Sequence, residues 1–221
     1  MSAAEHTFVF ADLAGYTALT EAHGDDDAAH VAIAFHELAY RCLPAGARIV
    51  KTIGDAVMVV APSIVDGVGV ALRLARDLAA LRDFPGVRIG VHAGAAAERD
   101  GDFFGAAVNL AARVAGVARA GEIVCTEVIA AVALEGRLAD ARPMGTVRLK
   151  NVATPVALYE LATGVPTGPL HHLDPVCRMR VAADATPASI VHDGVILYFC
   201  SAACASRFED APELYLPDRV E

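Results

Sequence analysis

The segment RIVKTIGDAVMVVAP, residues 48–62, constrains the fold more than any other stretch of the chain. Two runs rich in β-branched residues flank Gly54 and Asp55, which predicts two strands joined by a tight turn. The turn carries Lys51 and Asp55, and Lys51 is one of only two lysines among 18 basic residues. These two side chains either form a surface ion pair or are two functional groups that share one turn.

Other segments extend this hairpin into an α+β pattern. HTFVFADL and VRIGVHAG have the composition of strands, whereas residues 25–42, 63–82 and 106–118 have helical spacing. The resulting order, β-α-β-β-α-β, is that of the ferredoxin-like fold.

Composition excludes several classes of protein. Of 221 residues, 55% are hydrophobic and 20% charged, which is typical of a globular chain, and the formal charge of −9 argues against a nucleic-acid partner. There is no basic segment followed by an apolar run at the start and no long apolar stretch, so we expect a cytoplasmic protein without a membrane partner.

A stretch dense in Gly and Pro, GVPTGPLHHLDP, divides the chain. It predicts a first domain over residues 1–163, a linker over 164–173 and a small module over 174–217. Three of the five cysteines fall in that module, which suits a metal site better than a disulfide framework in a reducing compartment.

Acidic residues interrupt the apolar strands of the first domain at Asp12, Asp55 and Asp102. Each alone is compatible with an ordinary turn. Asp12 and Asp55 lie at the ends of neighbouring predicted strands, where two carboxylates repel each other unless a cation neutralises them. Their oxygen ligands favour Mg²⁺ or Mn²⁺.

Asn109 and Arg113 are four residues apart and share one face of a predicted helix. This face is either an ordinary polar surface or a site where an amide and a guanidinium bind an anion or a sugar. His92 is interpreted as a hydrogen-bonded structural residue, and Cys42 and Cys125 as buried apolar positions.

The segments FVFADLAGYT, KTIGDAVM, RIGVHAG, DFFGAAVNLAARV, GEIVCT and GTVRLKNV, in this order and spacing, resemble the catalytic domain of class III nucleotide cyclases over residues 6–161. The resemblance implies two Mg²⁺ or Mn²⁺ ions per active site, held by Asp12, Asp55 and the backbone carbonyl of Leu13. It further implies that Lys51 and Asp102 bind the purine and that Asn109 orients the ribose. Arg113 would stabilise charge on the reacting phosphate, and Lys150 would contact the outer phosphates.

The purine-reading residues indicate the substrate. Adenine offers an acceptor at N1 and a donor at N6, which match a lysine and an aspartate, whereas guanine reverses this pattern. The chain is therefore expected to convert ATP to cyclic AMP and pyrophosphate. A guanylate cyclase, or a non-catalytic metal sensor that uses the cyclase fold for dimerisation and nucleotide binding, are the alternatives.

The same resemblance implies active sites shared between two subunits, with the metal-binding acids from one and the base-reading and transition-state residues from the other. Since one chain carries the whole set, a homodimer contains two complete sites. Lys51 and Asp55 then serve different active sites.

The module carries cysteines in the arrangement C-x22-C-x3-C. Cys177, Cys200 and Cys204 either bind a soft or borderline ion, Zn²⁺ above all, or are simply packed. The stretch resembles a YHS-type metal-binding module, with Arg178 where glycine is usual, and such a module is a candidate regulator of the cyclase. A fourth ligand is left open among His171, His172, His192 and water.

Overall fold

The computed structural model describes residues 5–164 and 171–216, without the side chain of His171. In residues 5–164 the strands are β1 (Glu5–Leu13), β2 (Arg48–Ile53), β3 (Ala56–Ala61), β4 (Val87–Ala95), β5 (Ala97–Arg99), β6 (Asp102–Phe104), β7 (Ile123–Thr126), β8 (Ala141–Val147) and β9 (Val156–Leu161). The helices there are α1 (Tyr16–His23), α2 (Asp25–Arg41), α3 (Ile64–Ala80), α4 (Ala106–Ala115) and α5 (Glu127–Glu135). No helix in the described ranges has the length and apolar character needed to cross a membrane.

One seven-stranded sheet organises this part of the chain, in the order β2-β3-β1-β4-β7-β9-β8. Neighbouring strands are antiparallel except β4 and β7. The first four strands in the chain lie in the order β2-β3-β1-β4, which is the arrangement of the ferredoxin-like unit. The predicted α+β class is therefore confirmed.

The predicted hairpin forms, with β2 and β3 on either side of Gly54 at φ +59°. Two predicted helices correspond to α2 and α3, and α3 begins after Ser63, whose hydroxyl accepts from the N–H of Asp66. The helix predicted over 106–118 ends earlier, at Ala115, and is followed by Gly116. Helix α1 was not predicted; it has eight residues and no side-chain cap, so its two turns leave little periodic signal.

Both faces of the sheet are covered by helices. Val9 and Leu13 of β1 pack into the main core with Phe35 of α2 and other residues of α3 and α5, whereas Phe8 faces the opposite side, where Ala111 of α4 lies. This alternation is the strand period of two. Cys42 and Cys125 are buried, as predicted.

Helix α4 lies directly on β4 because Gly90 has no side chain. A Cβ at Gly90 would be 2.1 Å from the backbone nitrogen of Ala115. The close approach turns the opposite face of α4, with Asn109 and Arg113, toward solvent.

The C-terminal module is made of β10 (His171–Leu173), β11 (Arg180–Ala182), β12 (Ala188–His192), β13 (Val195–Phe199) and α6 (Ala202–Asp210). These form two two-stranded sheets, β10-β11 and β12-β13, with α6 beside the second. Phe199 and Phe208 are buried in one apolar cluster with Leu19 of α1 and Ala28 of α2. The module therefore packs on the first part of the chain. Residues 165–170, most of the predicted linker, and residue 217 lie outside the described residues.

Candidate active site and cysteine cluster

Asp12 and Asp55, here called the acidic pair, come together where β1 ends and β3 begins. Asp12 is opposite Ala56 in the strand register, and the N–H of Leu13 donates to the carbonyl oxygen of Asp55 at 3.2 Å. Burial raises the pKa of both carboxyls, and the charge of Asp55 raises that of Asp12 further. Two partly buried carboxylates that resist ionisation are suited to a divalent cation.

Arg88 on β4 forms an ion pair with Asp12. Its Nε donates to Oδ1 at 3.2 Å and its Nη2 to Oδ2 at 2.5 Å, and this interaction partly offsets the increase in the pKa of Asp12. Sequence reasoning did not name Arg88 as a site residue. The sequence signal for Arg88 is a charged residue within an otherwise apolar strand. Its partner could not be named from the sequence, because the register that places Arg88 opposite Asp12 is known only from the structure.

Lys51 pairs with Asp102, not with Asp55 across the turn. Its Nζ lies 2.9 Å from Oδ1 and 2.7 Å from Oδ2 of Asp102, and Oδ1 also accepts from the N–H of Phe103 at 2.7 Å. The hydrogen bond from Lys51 is the main reason that the pKa of Asp102 is lowered. Both side chains keep about a third of their surface exposed, so donor and acceptor groups remain open on one side.

Asn109 and Arg113 lie together on the exposed face of α4, one turn apart. Within the described part of the chain neither side chain forms a hydrogen bond or an ion pair. Lys150 is likewise exposed, in the turn between β8 and β9. These three side chains are therefore free to contact a ligand or another subunit.

Two histidines of this part of the chain have partly buried rings in different surroundings. His92 Nδ1 is 2.8 Å from Thr126 Oγ1, and burial lowers its pKa, which agrees with the predicted structural role. His36 on α2 has a buried Nε2 without a hydrogen-bond partner among the described residues, and it lies close enough to Asp55 to influence that carboxyl. Nothing in the sequence pattern singled out His36.

The predicted tail ligands Cys177, Cys200 and Cys204 lie together with a histidine that was not predicted, His23 at the end of α1. We call these four residues the cysteine cluster. The Sγ atoms of Cys177 and Cys204 are 3.5 and 3.6 Å from that of Cys200. Hydrogen bonds from Cys177 and Cys200 lower the pKa of Cys204.

Of the histidines considered from the sequence, His172 and His192 are not part of the cysteine cluster. His172 packs against Tyr198 with ring centroids 4.1 Å apart, and the rings of His192 and Phe208 are nearly perpendicular, with centroids 5.3 Å apart. The side chain of His171 is outside the described residues. His23 is far from the cysteines in sequence and belongs to the helix that was missed, so only the tertiary packing brings it to them.

Comparison with known proteins connects both parts of the chain to families. Residues 2–163 match the adenylate and guanylate cyclase catalytic domain, and residues 172–219 match the YHS domain. A pH-sensitive adenylate cyclase of Mycobacterium tuberculosis is 34% identical over 161 residues, which cover 72% of this chain and 41% of that protein. An adenylate cyclase of Streptomyces coelicolor is 36% identical over 110 residues, covering 49% and 29% of the two chains.

Solved structures agree on the fold. An adenylate cyclase of Trypanosoma brucei in its monomeric state superimposes with a TM-score of 0.67 at 22% identity, over 74% of this chain and 91% of that one. An adenylate/guanylate cyclase/hydrolase of Silicibacter pomeroyi gives a TM-score of 0.64 at 25% identity, over 72% and 96%. The chain spans less than half the length of the curated relatives it matches. Its first part nevertheless matches throughout, and the chain belongs to the adenylate and guanylate cyclase catalytic domain family, with a YHS domain at its C-terminal end.

Proposed function

We propose that this chain is an adenylate cyclase that converts ATP to 3′,5′-cyclic AMP and pyrophosphate at sites shared by two subunits. The observation that carries the proposal is the acidic pair, two partly buried carboxylates side by side in a cyclase-family fold. We place the reaction in the cytoplasm, where ATP is available and thiols stay reduced.

The acidic pair fits two divalent cations of the Mg²⁺ or Mn²⁺ type. Carboxylate oxygens from Asp12 and Asp55, with the carbonyl oxygen of Leu13, form a set of hard oxygen ligands. Cations held by these residues would lower the pKa of the ribose 3′-hydroxyl and neutralise charge on the phosphates. Arg88 favours the carboxylate form of Asp12 and offsets part of the increase in its pKa that burial causes.

The remaining residues bind and orient the nucleotide. In ring closure the 3′-oxygen forms a bond to the α-phosphorus, the bond to pyrophosphate breaks, and the hydroxyl proton is released. Asn109 would hold the ribose in line for this attack, which lowers the entropic part of the barrier. Arg113 would bind the phosphoryl oxygens, where negative charge grows in the transition state, and Lys150 the leaving phosphates.

The hydrogen-bonding groups of Lys51 and Asp102 favour ATP over GTP as the substrate. They already lie in contact, one a donor and the other an acceptor, and each keeps exposed hydrogen-bonding capacity. A purine edge placed against them would meet a donor facing N1 and an acceptor facing N6, as adenine requires. Guanine would leave both groups mismatched, which costs much more than a missing apolar contact.

The exposed position of Asn109 and Arg113 supports a homodimer. Ile53 at the tip of the hairpin and Phe104 beside Lys51 are also more than half exposed, which is unusual for large apolar side chains near a polar site. A second copy of the chain would cover these residues and bring the face of α4 to the acidic pair. A C2 arrangement provides two such sites.

The test is cyclic AMP formation by the purified full-length chain and two variants, Asp55→Asn and Asp140→Asn. Asp55→Asn should lower turnover by at least about 100-fold, since the cations supply several kcal/mol of transition-state stabilisation. Asp140→Asn makes the same change at an exposed position and should leave turnover unchanged. Appreciable turnover by Asp55→Asn would contradict the metal role, and inactivity of every form, including wild type, would favour a nucleotide-binding metal sensor.

A further inference from the structure

We propose that His23, a residue of the cyclase domain, is the fourth ligand of the metal ion bound by Cys177, Cys200 and Cys204, so that this ion joins the YHS domain to helix α1. The four ligand atoms all lie within 4.8 Å of one another. A Cys₃His set of this kind suits Zn²⁺ or a similar borderline ion.

Four of the six distances between the ligand atoms match those around one tetrahedral ion. Bond lengths to zinc place ligand sulfurs about 3.7 Å apart and a sulfur about 3.5 Å from an imidazole nitrogen. Cys200 Sγ lies 3.5 Å from Cys177 Sγ and 3.6 Å from Cys204 Sγ. His23 Nε2 lies 3.4 Å from Cys200 Sγ and 3.7 Å from Cys204 Sγ. Disulfides require sulfur atoms about 2.0 Å apart, so no pair of these thiols is bonded.

The backbone around the cysteines is organised to hold this geometry. Asp174 is completely buried, and its carboxylate accepts from the N–H groups of Val176, Cys177 and Cys200. One side chain thus fixes the two loops that carry Cys177 and Cys200. Ser201 caps α6 by accepting from the N–H of Cys204 at 3.1 Å, which places the third sulfur in the first turn of the helix.

The position of His23 follows from packing between the domains. Leu19, one turn before His23 on α1, is buried against Phe199 and Phe208 of the module. Arg207 of α6 also donates to the carbonyl oxygen of Glu21 at 2.8 Å. The contacts orient α1 so that its last residue faces the three sulfur atoms.

The module also touches the two segments that lead to the acidic pair. Arg178, at the position where glycine is usual, adopts φ +62°, the left-handed conformation that glycine favours. Its side chain covers Gly15, where a Cβ would be only 2.5 Å from that of Arg178. Gly15 lies between Leu13 and α1, so the module is seated just beyond the end of β1.

The module makes a second contact with the first part of the chain, at the segment that precedes β4. The guanidinium of Arg180 donates to carbonyl oxygens at the end of α3, including that of Leu78, and to that of Phe84 at 3.2 Å. Two residues further on, the carbonyl oxygen of Gly86 accepts from the N–H of Ala14 at 2.7 Å. The module therefore contacts both segments next to the Asp12 and Arg88 pair, and a metal held by His23 fastens it there.

Cobalt binding tests the ligand set without any cyclase assay. Reduced, metal-free, full-length wild type, His23→Ala and His30→Ala chains are titrated with Co²⁺. Its visible absorption is intense in tetrahedral sites and weak in octahedral ones, and thiolate ligands add charge-transfer bands in the near ultraviolet. His30 is exposed on α2 and serves as the matched control. We expect wild type and His30→Ala to bind alike, and His23→Ala to bind at least about tenfold more weakly with a shifted spectrum. Identical affinity and spectrum in His23→Ala would overturn the proposal.

A second measurement uses the folded wild-type chain, so that misfolding of a variant cannot decide the outcome. Zn²⁺ is added to protein with ¹⁵N-labelled histidine, and the Nε2 signal of His23 should move to the range of a metal-bound nitrogen. Hydrogen exchange of the amides in Tyr16–His23 should slow at least about tenfold on Zn²⁺ addition, because α1 becomes fastened to the module. An unchanged His23 signal, or equal exchange of α1 with and without Zn²⁺, would contradict the proposal even if the chain is a fully active cyclase.

Discussion

Arg88 holds Asp12 through both carboxylate oxygens, at 3.2 Å from Nε and 2.5 Å from Nη2. Asp55, the other member of the acidic pair, has no such ion pair among the described residues. Arg88 therefore partly neutralises Asp12. If cations bind as proposed, Asp55 would depend on them more than Asp12 does.

Binding of Mn²⁺ should weaken as pH falls. The pKa values of Asp12 and Asp55 are raised above the ordinary 3.8 by burial, so protons compete with the cation at higher pH than they would at exposed carboxylates. Titrations of Mn²⁺ by electron paramagnetic resonance, from about pH 8 down to about pH 5, follow the loss of affinity. Affinity that stays constant across this range would contradict the prediction.

Replacing Arg88 should move this pH dependence upward. The guanidinium lowers the pKa of Asp12, so Arg88→Met removes an interaction that favours the carboxylate. The pH at which half of the Mn²⁺ affinity is lost should then be higher than in wild type. Arg99→Met, a change at an exposed arginine, is the control and should leave the midpoint in place.

Asp55→Asn should stabilise the metal-free protein and abolish most of its stabilisation by Mn²⁺. A carboxyl whose pKa is raised by folding contributes stability below its unfolded pKa and loses that contribution as pH rises through the folded pKa, so ionised Asp55 opposes folding at neutral pH. Asparagine resembles the neutral form. Thermal unfolding checks both effects.

The size of the metal effect can be anticipated. At a Mn²⁺ concentration 100 times the dissociation constant, wild type gains about 2.7 kcal/mol, or roughly 5–10 °C in Tm. Asp55→Asn should gain less than half of this. An equal gain would show that Asp55 does not bind the cation.

Exchanging the purine-reading pair should change the preferred nucleotide. In Lys51→Glu with Asp102→Cys, an acceptor replaces the donor at position 51 and the carboxylate acceptor at position 102 is lost, which suits the N1 donor and O6 acceptor of guanine better than adenine. The ratio of kcat/KM for ATP over GTP should fall by at least about 100-fold. Lys150→Gln should instead lower both values by a similar factor, since the phosphates are common to the two substrates. A ratio unaffected by the double substitution would remove Lys51 and Asp102 from base selection.

Two inactive variants should restore activity when mixed. If sites are shared, an Asp12→Ala chain paired with an Arg113→Ala chain has one site with both defects and one with neither. After subunit exchange about half of the dimers are mixed, so about a quarter of wild-type activity is expected. No recovery in dimers verified as mixed by mass spectrometry would contradict shared sites.

The sequence predicts best where local chemistry and hydrophobic period agree. The hairpin at Gly54 and helices α2 and α3 follow from turn residues and periodicity. The acidic pair is predicted because strands rarely carry aspartate. The strand register, which places Asp12 opposite Ala56, explains why Asp12 and Asp55 lie side by side.

What the sequence did not predict depends on contacts between distant segments. Helix α1 is short and begins after Gly15 without a side-chain cap, so it carries little local signal. His23 joins cysteines more than 150 residues away only because the module packs on α1. The pairing of Arg88 with Asp12 required the neighbouring strand to be known.

The most direct test of the proposed activity is product formation by the purified full-length chain given ATP alone and GTP alone, each with Mn²⁺ and with Mg²⁺. We expect cyclic AMP from ATP, with kcat/KM at least about 100-fold above that for GTP. Cyclic GMP formed with equal or greater efficiency would overturn the assignment of Lys51 and Asp102. No product from either nucleotide, by a folded dimer that binds both, would contradict the cyclase activity itself.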